Sequence, residues 1–137
     1  MQAAIALEGL RLLDEWTAST RAHARVVNDA LAGVPGVQVP VVPEGRTHAY
    51  YQYCVYTPDR DNVVARSIRR GVDIETLHVD VCPELPLFAD LDPAPAPGAS
   101  RSEEVVQIPV YASLTTRQIQ RVARVVRRAV LRQERDR

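Results

Sequence analysis

Residues 50–88, YYQYCVYTPDRDNVVARSIRRGVDIETLHVDVCPELPLF, are the stretch on which the fold turns. Tyr50 to Tyr56 is rich in tyrosine and valine, types suited to a pleated, half-buried surface. It predicts a strand that Thr57-Pro58-Asp59 ends with a rigid turn. Asp59 or Asp61 can then cap a short helix. Val63, Val64 and Ile68 fall near helical spacing, and Gly71 stands where a left-handed C-terminal residue is wanted, so the helix ends at Arg70. Val72, Ile74 and Thr76 alternate with Asp73, Glu75 and Leu77, which predicts a second strand that becomes irregular before Pro83. Any chemistry this segment serves is expected where that strand frays, around His78.

Working outward toward the N-terminus, Gln2 to about Leu31 reads as one long helix, with the weak-propensity run Thr17-Ala18-Ser19-Thr20 as the place for a bend. Ala32-Gly33-Val34-Pro35-Gly36 ends it. In its first half Ile5, Leu7, Leu10, Leu12, Leu13 and Trp16 are spread around the cylinder, more than one core stripe requires. Such a helix should be buried on two sides, and a domain of this size is expected to cover one of them. Val37 to Val42, with prolines at 35, 40 and 43, supports at most a short edge strand, because proline removes ladder donors. Glu44-Gly45-Arg46 turns the chain into the tyrosine-rich strand.

Toward the C-terminus, DLDPAPAPGAS is an extended Pro/Ala loop. Ser100 to Val106 predicts a short helix opened by a Ser100-Arg101-Ser102-Glu103 capping pattern, and Gln107 to Tyr111 a last short strand. Thr115 and Gln118 form a capping box for a terminal helix, whose Ile119, Val122, Ala123, Val126 and Val130 make one apolar stripe. The alternation of helices with few, short strands predicts an α+β fold: a three- or four-stranded sheet with helices mainly on one face, in a single domain over residues 1–137.

Composition narrows the function classes. Hydrophobic residues at 46% and charged residues at 25% are those of an ordinary globular protein, and no apolar run approaches the roughly 20 residues needed to span a bilayer. With no basic n-region before the first apolar residues, a cytoplasmic location is expected. Zero net charge argues against a general nucleic-acid or membrane binder. Cys54 and Cys82 are too few for a disulfide scaffold and lack metal-ligand spacing, so Cys54 reads as a free buried thiol. All 17 basic residues are arginine. A chain without lysine cannot form a Schiff base through a lysine side chain, so chemistry of that kind needs another polypeptide.

Each candidate residue has a structural reading beside a functional one. His78 fits either a substrate-facing role or a hydrogen-bonded strand end, and His48 reads as structural. His78, Asp80 and Cys82 alternate as strand residues on one face would, but they lack a fourth ligand and match no standard zinc pattern. Cys82 with His78 as a nucleophilic pair lacks any orienting partner. Arg117, Arg121, Arg124, Arg127, Arg128 and Arg132 form a basic stripe that suits either phosphates or plain solvation, the neutral net charge favouring the latter. Tyr50, Tyr51, Tyr53 and Tyr56 suit sheet packing better than base stacking, since alternation sends Tyr51 and Tyr53 to one face and Tyr50 and Tyr56 to the other.

Five blocks, QAAIALEGLRLLDEW, LAGVPGV after an Arg-rich helix, HAYYQYCVYT, RRGVDIETLHVDVCPELPLF and VVQIPVYASLTTRQIQRVARVV, occur here in an order and spacing that resemble the C-terminal small domain of the DegT/DnrJ/StrS sugar aminotransferases, over nearly the whole chain. The resemblance implies a homodimeric enzyme family that uses pyridoxal phosphate to move an amino group onto a keto sugar nucleotide or a related secondary-metabolite precursor. It implies that the cofactor and its lysine lie in a large N-terminal domain beyond this sequence, so that this chain alone holds no cofactor. It also implies that Glu75 and His78 face the substrate, with Glu75 standing where family members often carry arginine. Two readings follow. The chain completes the site of a lysine-bearing partner, or it is a free-standing non-catalytic remnant that binds a protein or a small molecule. In the first, the partner or a second copy would cover the N-terminal helix at Ile5, Leu7, Leu10, Leu12, Leu13 and Trp16.

Overall fold

A computed structural model describes residues 1–76, 81–91 and 94–131. Helix α1 (Gln2–Leu31) runs unbroken to Ala32. Strand β1 (Tyr53–Tyr56), helix α2 (Arg60–Ile68) and strand β2 (Glu75–Thr76) follow. Short 3-10 turns at Cys82–Glu84 and Pro86–Leu91 lead to the single helical turn α3 (Pro97–Ser100), a further 3-10 turn (Arg101–Glu104), strand β3 (Val105–Ile108) and helix α4 (Thr116–Leu131). The strands form an antiparallel sheet in the order β1-β3-β2. This is the expected α+β architecture.

Register decides which face is buried. Tyr53 pairs with Ile108 and Val55 with Val106, and these four side chains are buried with Ala24, Val27 and Leu31 of α1, Val63 of α2 and Ile119, Val122 and Val126 of α4. Cys54, Gln107 and Glu75 share the intervening rung and the opposite face. The helices therefore cover one side, because only alternate sheet residues are apolar enough to hold them.

The local signals hold where side chain and backbone settle the geometry between them. Thr115 N–H donates to Gln118 Oε1 at 2.8 Å and Gln118 N–H to Thr115 Oγ1 at 3.3 Å, the predicted capping box. Gly71 has φ +68°, and two bonds close the end of α2 around it, Gly71 N–H to Ile68 O at 2.8 Å and Val72 N–H to Ser67 O at 3.1 Å. That paired pattern satisfies orphan helix carbonyls and requires a left-handed residue, hence the glycine.

Other expectations need correction. The first strand begins at Tyr53, not Tyr50, because Tyr50 takes φ +53° in a turn closed by its N–H donating to His48 Nδ1 at 2.8 Å. That reversal also breaks the predicted alternation. Tyr50 and Tyr53 are both buried with ring centroids 5.7 Å apart, while Tyr51 is 94% exposed. Among the described residues the second strand covers Glu75–Thr76, and Val72 to Ile74 lead into it without pairing. The helix predicted over 100–106 stops at Glu104, and Val105 and Val106 open β3 instead. Ser100 does not cap it, since its hydroxyl donates to Glu84 Oε1. Of the edge strand expected near Val37 to Val42 one bridge remains, Gln38 to Tyr56.

The largest departure is in α1. At about 100° per residue, Leu12, Ile5, Trp16, Leu13, Ala6 and Leu10 share one arc of roughly 160°, and only Leu7 lies beyond it, past Asp14. The arc is in line with Ala24, Val27 and Leu31, the side that meets the core further along. This chain covers neither it nor the opposite side: Ile5 is 69% exposed, Leu10 65% and Trp16 45%. The two-sided reading thus reduces to one broad apolar face, which extends the core stripe beyond the core.

Candidate functional site

The segment leading into β2, the end of β3 with the residues after it, and the start of α4 border an open cleft of about 400 Å³. Gly71, Val72, Asp73 and Glu75 form one wall, Gln107, Pro109 and Tyr111 the floor and rim, and Leu114, Gln118, Arg121 and Val122 the opposite wall. Sequence places these groups through three devices already described. The Gly71 turn swings the chain from α2 into β2, pairing of Glu75 with Gln107 fixes the acidic wall against the floor, and the capping box sets the first turn of α4.

Arg121 ties the walls together. Its Nη2 donates to Arg70 O at 2.7 Å, one of the carbonyls left over at the end of α2, where a cation also meets the negative end of the helix dipole. A β-carbon on Gly71 would stand 2.9 Å from that same nitrogen. Glycine at 71 thus serves both the backbone turn and the approach of the guanidinium. The cleft presents carboxylates (Asp73, Glu75), amides (Gln107, Gln118), one guanidinium and the exposed ring of Tyr111. It offers acceptors and donors to a hydroxyl-rich ligand, with apolar surface at Pro109, Leu114 and Val122.

Of the two residues expected to face a substrate, Glu75 lines this cleft and is exposed. His78, and with it Asp80 of the His78, Asp80 and Cys82 trio, lies outside the described residues. Among the described residues no group of three potential ligands is close enough to hold a metal ion. Cys82 is exposed, and Cys54 is half-buried rather than buried, its thiol pKa pushed up by burial. His48 is a structural residue. Its ring lies tilted against that of Tyr50 with centroids 4.3 Å apart, its Nδ1 accepts that residue's N–H, and its carbonyl accepts from Arg21 Nε at 2.9 Å. His23 escaped notice in the sequence. Its Nδ1 lies 3.1 Å from Tyr111 O and 3.3 Å from Val110 O, so the N–H sits on Nδ1 and α1 is stitched to the segment that forms the cleft floor. Arg121 was visible in the sequence only as one member of a stripe.

A second groove of about 410 Å³ opens between Leu13 and Trp16 of α1, the aromatic turn at Tyr50, Tyr51 and Tyr53, and the segment Ile108 to Tyr111. It is continuous with the uncovered apolar arc. The chain therefore presents a polar cleft and, around the corner of the sheet, an apolar recess.

A small antiparallel sheet with helices on one face is an arrangement found within solved aminotransferases. The crystal structure of the aminotransferase TlmJ from Streptoalloteichus hindustanus superposes with a TM-score of 0.85 at 26% identity, over 96% of this chain and 36% of that one. The model of the DegT/DnrJ/EryC1/StrS aminotransferase family matches residues 1–127, and the chain belongs to that family. It is 33% identical over 141 residues to a dTDP-3-amino-3,4,6-trideoxy-alpha-D-glucose transaminase of Micromonospora megalomicea subsp. nigra, across 95% of this chain and 37% of the relative. It is 30% identical over 127 residues to a pleiotropic regulatory protein of Geobacillus stearothermophilus, across 89% of this chain and 34% of that protein. The chain thus spans about a third of the length of the curated relatives it matches. No described helix is long and apolar enough to cross a membrane.

The family depends on pyridoxal phosphate. The residues present do not fit that cofactor's attachment, because its aldehyde is held through a lysine amine and the sequence contains no lysine.

Proposed function

We propose that residues 1–137 form one domain, the C-terminal small domain of a sugar aminotransferase, and that it completes the site of a lysine-bearing body that holds the cofactor. The observation that carries this reading is the uncovered apolar arc of α1. Exposed patches of this kind mark an interface, and the arc opens onto the aromatic recess at Trp16, Tyr51 and Tyr111, so one body seated in that corner would cover both. The Glu75 cleft lies on the adjoining side of Gln107, Pro109 and Tyr111, which line cleft and recess alike. In this role the chain binds and orients. Glu75 and His78 are the substrate-facing residues, Asp73, Gln107 and Gln118 offer partners to sugar hydroxyls, and the wall formed by α4 excludes water from one side. The substrate class is a keto sugar nucleotide or a related secondary-metabolite precursor.

Co-expression with the lysine-bearing large domain of a family member tests the proposal. A stable complex that transfers an amino group to a keto sugar nucleotide is expected, while neither piece alone is active. A borohydride-stable cofactor adduct at an internal residue of this chain would overturn the account of where the cofactor is held. One observation favours a second reading, a non-catalytic binding module: the matched relative from Geobacillus stearothermophilus carries a regulatory name. A complex that forms with a large domain yet shows no amino transfer supports that reading instead.

A further inference from the structure

Over Thr116–Leu131, helix α4 carries five arginines and no acidic residue. Arg117, Arg121, Arg124 and Arg128 fall on one exposed line opposite the buried Ile119, Val122, Val126 and Ala129, a stripe of roughly 16 Å at about 1.5 Å rise per residue. Among the described residues the ion pairs are Glu8 with Arg11, Asp61 with Arg60 and Asp59 with Arg66, and none reaches α4. The bonds that hold its arginines go to backbone carbonyls: Arg121 to Arg70, Arg124 to Gln120 and Arg127 to Ala30. A carbonyl fixes a guanidinium in place without neutralising it. Arginines three and four apart on one helix repel each other, so the stripe works against the helix that bears it. A chain of zero net charge that gathers uncompensated charge on one face presents a surface matched to the opposite sign.

Charge selects a protein over a polyanion. Helix α4 packs against α1 and α2 and turns its arginine line outward. The neutral net charge gives the chain no overall field with which to hold a long polyanion. The spacing i, i+4, i+7, i+11 is that of side chains along one face of a facing helix. We propose that the exposed face of α4 docks an acidic helix of a partner protein, one that carries carboxylates at this spacing. The face shares Arg121 with the cleft wall, and the inference is otherwise independent of the function proposed above.

The test uses the full chain and a labelled alanine-rich helical peptide with Glu at i, i+4, i+7 and i+11. Comparators are a peptide of the same composition with the glutamates scattered around the helix and a duplex DNA of about 20 base pairs. The ordered peptide is expected to bind about tenfold tighter than the scattered one and to weaken about tenfold between roughly 50 and 300 mM salt. Binding should be lost in the triple variant Arg117→Gln, Arg124→Gln, Arg128→Gln, whose helicity and thermal midpoint are checked, and kept within about twofold in Arg127→Gln, off the line. Equal binding of the two peptides, tighter binding of the duplex, or undiminished binding by the triple variant would each overturn the proposal. Should the triple variant fail to fold, the comparison of peptides on the unmodified chain decides.

Discussion

Replacing Gly71 by alanine tests the junction between α2 and β2 on which the cleft depends. Two costs arise there. Alanine at φ +68° pays about 1–2 kcal/mol for the left-handed backbone. Its β-carbon would also stand 2.9 Å from Arg121 Nη2, so the guanidinium must retreat from the carbonyl of Arg70 that it now meets at 2.7 Å. A hydrogen bond to a charged group is worth about 1.5–3 kcal/mol, and exposure of this one to water puts it at or below the low end. Together the substitution should cost about 2–3 kcal/mol, or roughly 8–12 °C in thermal midpoint at about 4 °C per kcal/mol for a chain of this length. Urea unfolding followed by circular dichroism measures it, and a cycle with Arg121→Ala separates the terms. With Arg121 already truncated, Gly71→Ala should cost only the backbone part, so the two changes should fall short of additive by about 1 kcal/mol. A cost below about 0.5 kcal/mol in the unmodified chain, or an equal cost in both backgrounds, would refute the reasoning.

The same structure bears on other substitutions. Ser67 is fully buried on α2 and its hydroxyl has no partner among the described residues, so Ser67→Ala should raise the unfolding free energy by about 1 kcal/mol, and a lowered midpoint would show that the oxygen is hydrogen-bonded. Burial first, and the neighbouring Tyr50 second, push the Tyr53 phenol well above its ordinary pKa near 10, and burial raises the Cys54 thiol from 9.0. Both groups are more readily deprotonated when unfolded, so their contribution is intact below about pH 9 and is lost as pH rises through 10 and beyond. Tyr53→Phe should flatten the upper part of that alkaline fall. Leu10→Glu with Leu13→Glu should leave the unfolding free energy of the isolated chain within about 0.5 kcal/mol while abolishing self-association or dye binding, because both side chains are largely exposed, at 65% and 50%. A clean monomer that binds no dye before the change would count against the apolar arc as an interface.

What the sequence made legible was short-range. The capping box at Thr115 and Gln118 and the left-handed Gly71 are decided by neighbouring atoms, and they lie where the spacing of residue types puts them. Strand limits are decided across the sheet. Val105 and Val106 follow a plausible helix start, yet pairing with Tyr56 and Val55 claims them for β3, and the hydroxyl that should cap the helix is turned toward Glu84. Tyr50 reads as a strand residue because its type is right. Its reversed backbone rests on the ring of His48, a contact that no periodicity records. In the site, Glu75 was reachable through resemblance alone, whereas the tie from Arg121 to Arg70 joins residues 51 positions apart and needed the fold.

Helix α1 also has a mechanical consequence. Thirty residues at about 1.5 Å each give a rod of roughly 45 Å, and about three-quarters of it precedes Ala24, the first side chain buried in this core. A body that grips the outer turns holds a lever whose other arm is fixed in the domain by Ala24, Val27, Leu31 and the bond from His23 to the cleft floor. Tilting such a rod by about 10° displaces the far end of a 20 Å arm by roughly 3–4 Å, comparable to one residue step along a strand. In the proposed complex, the angle at which the outer turns are clamped would set how wide the Glu75 cleft stands from the lysine-bearing body, with Gly9, on the side of the apolar arc, as an adjustment point.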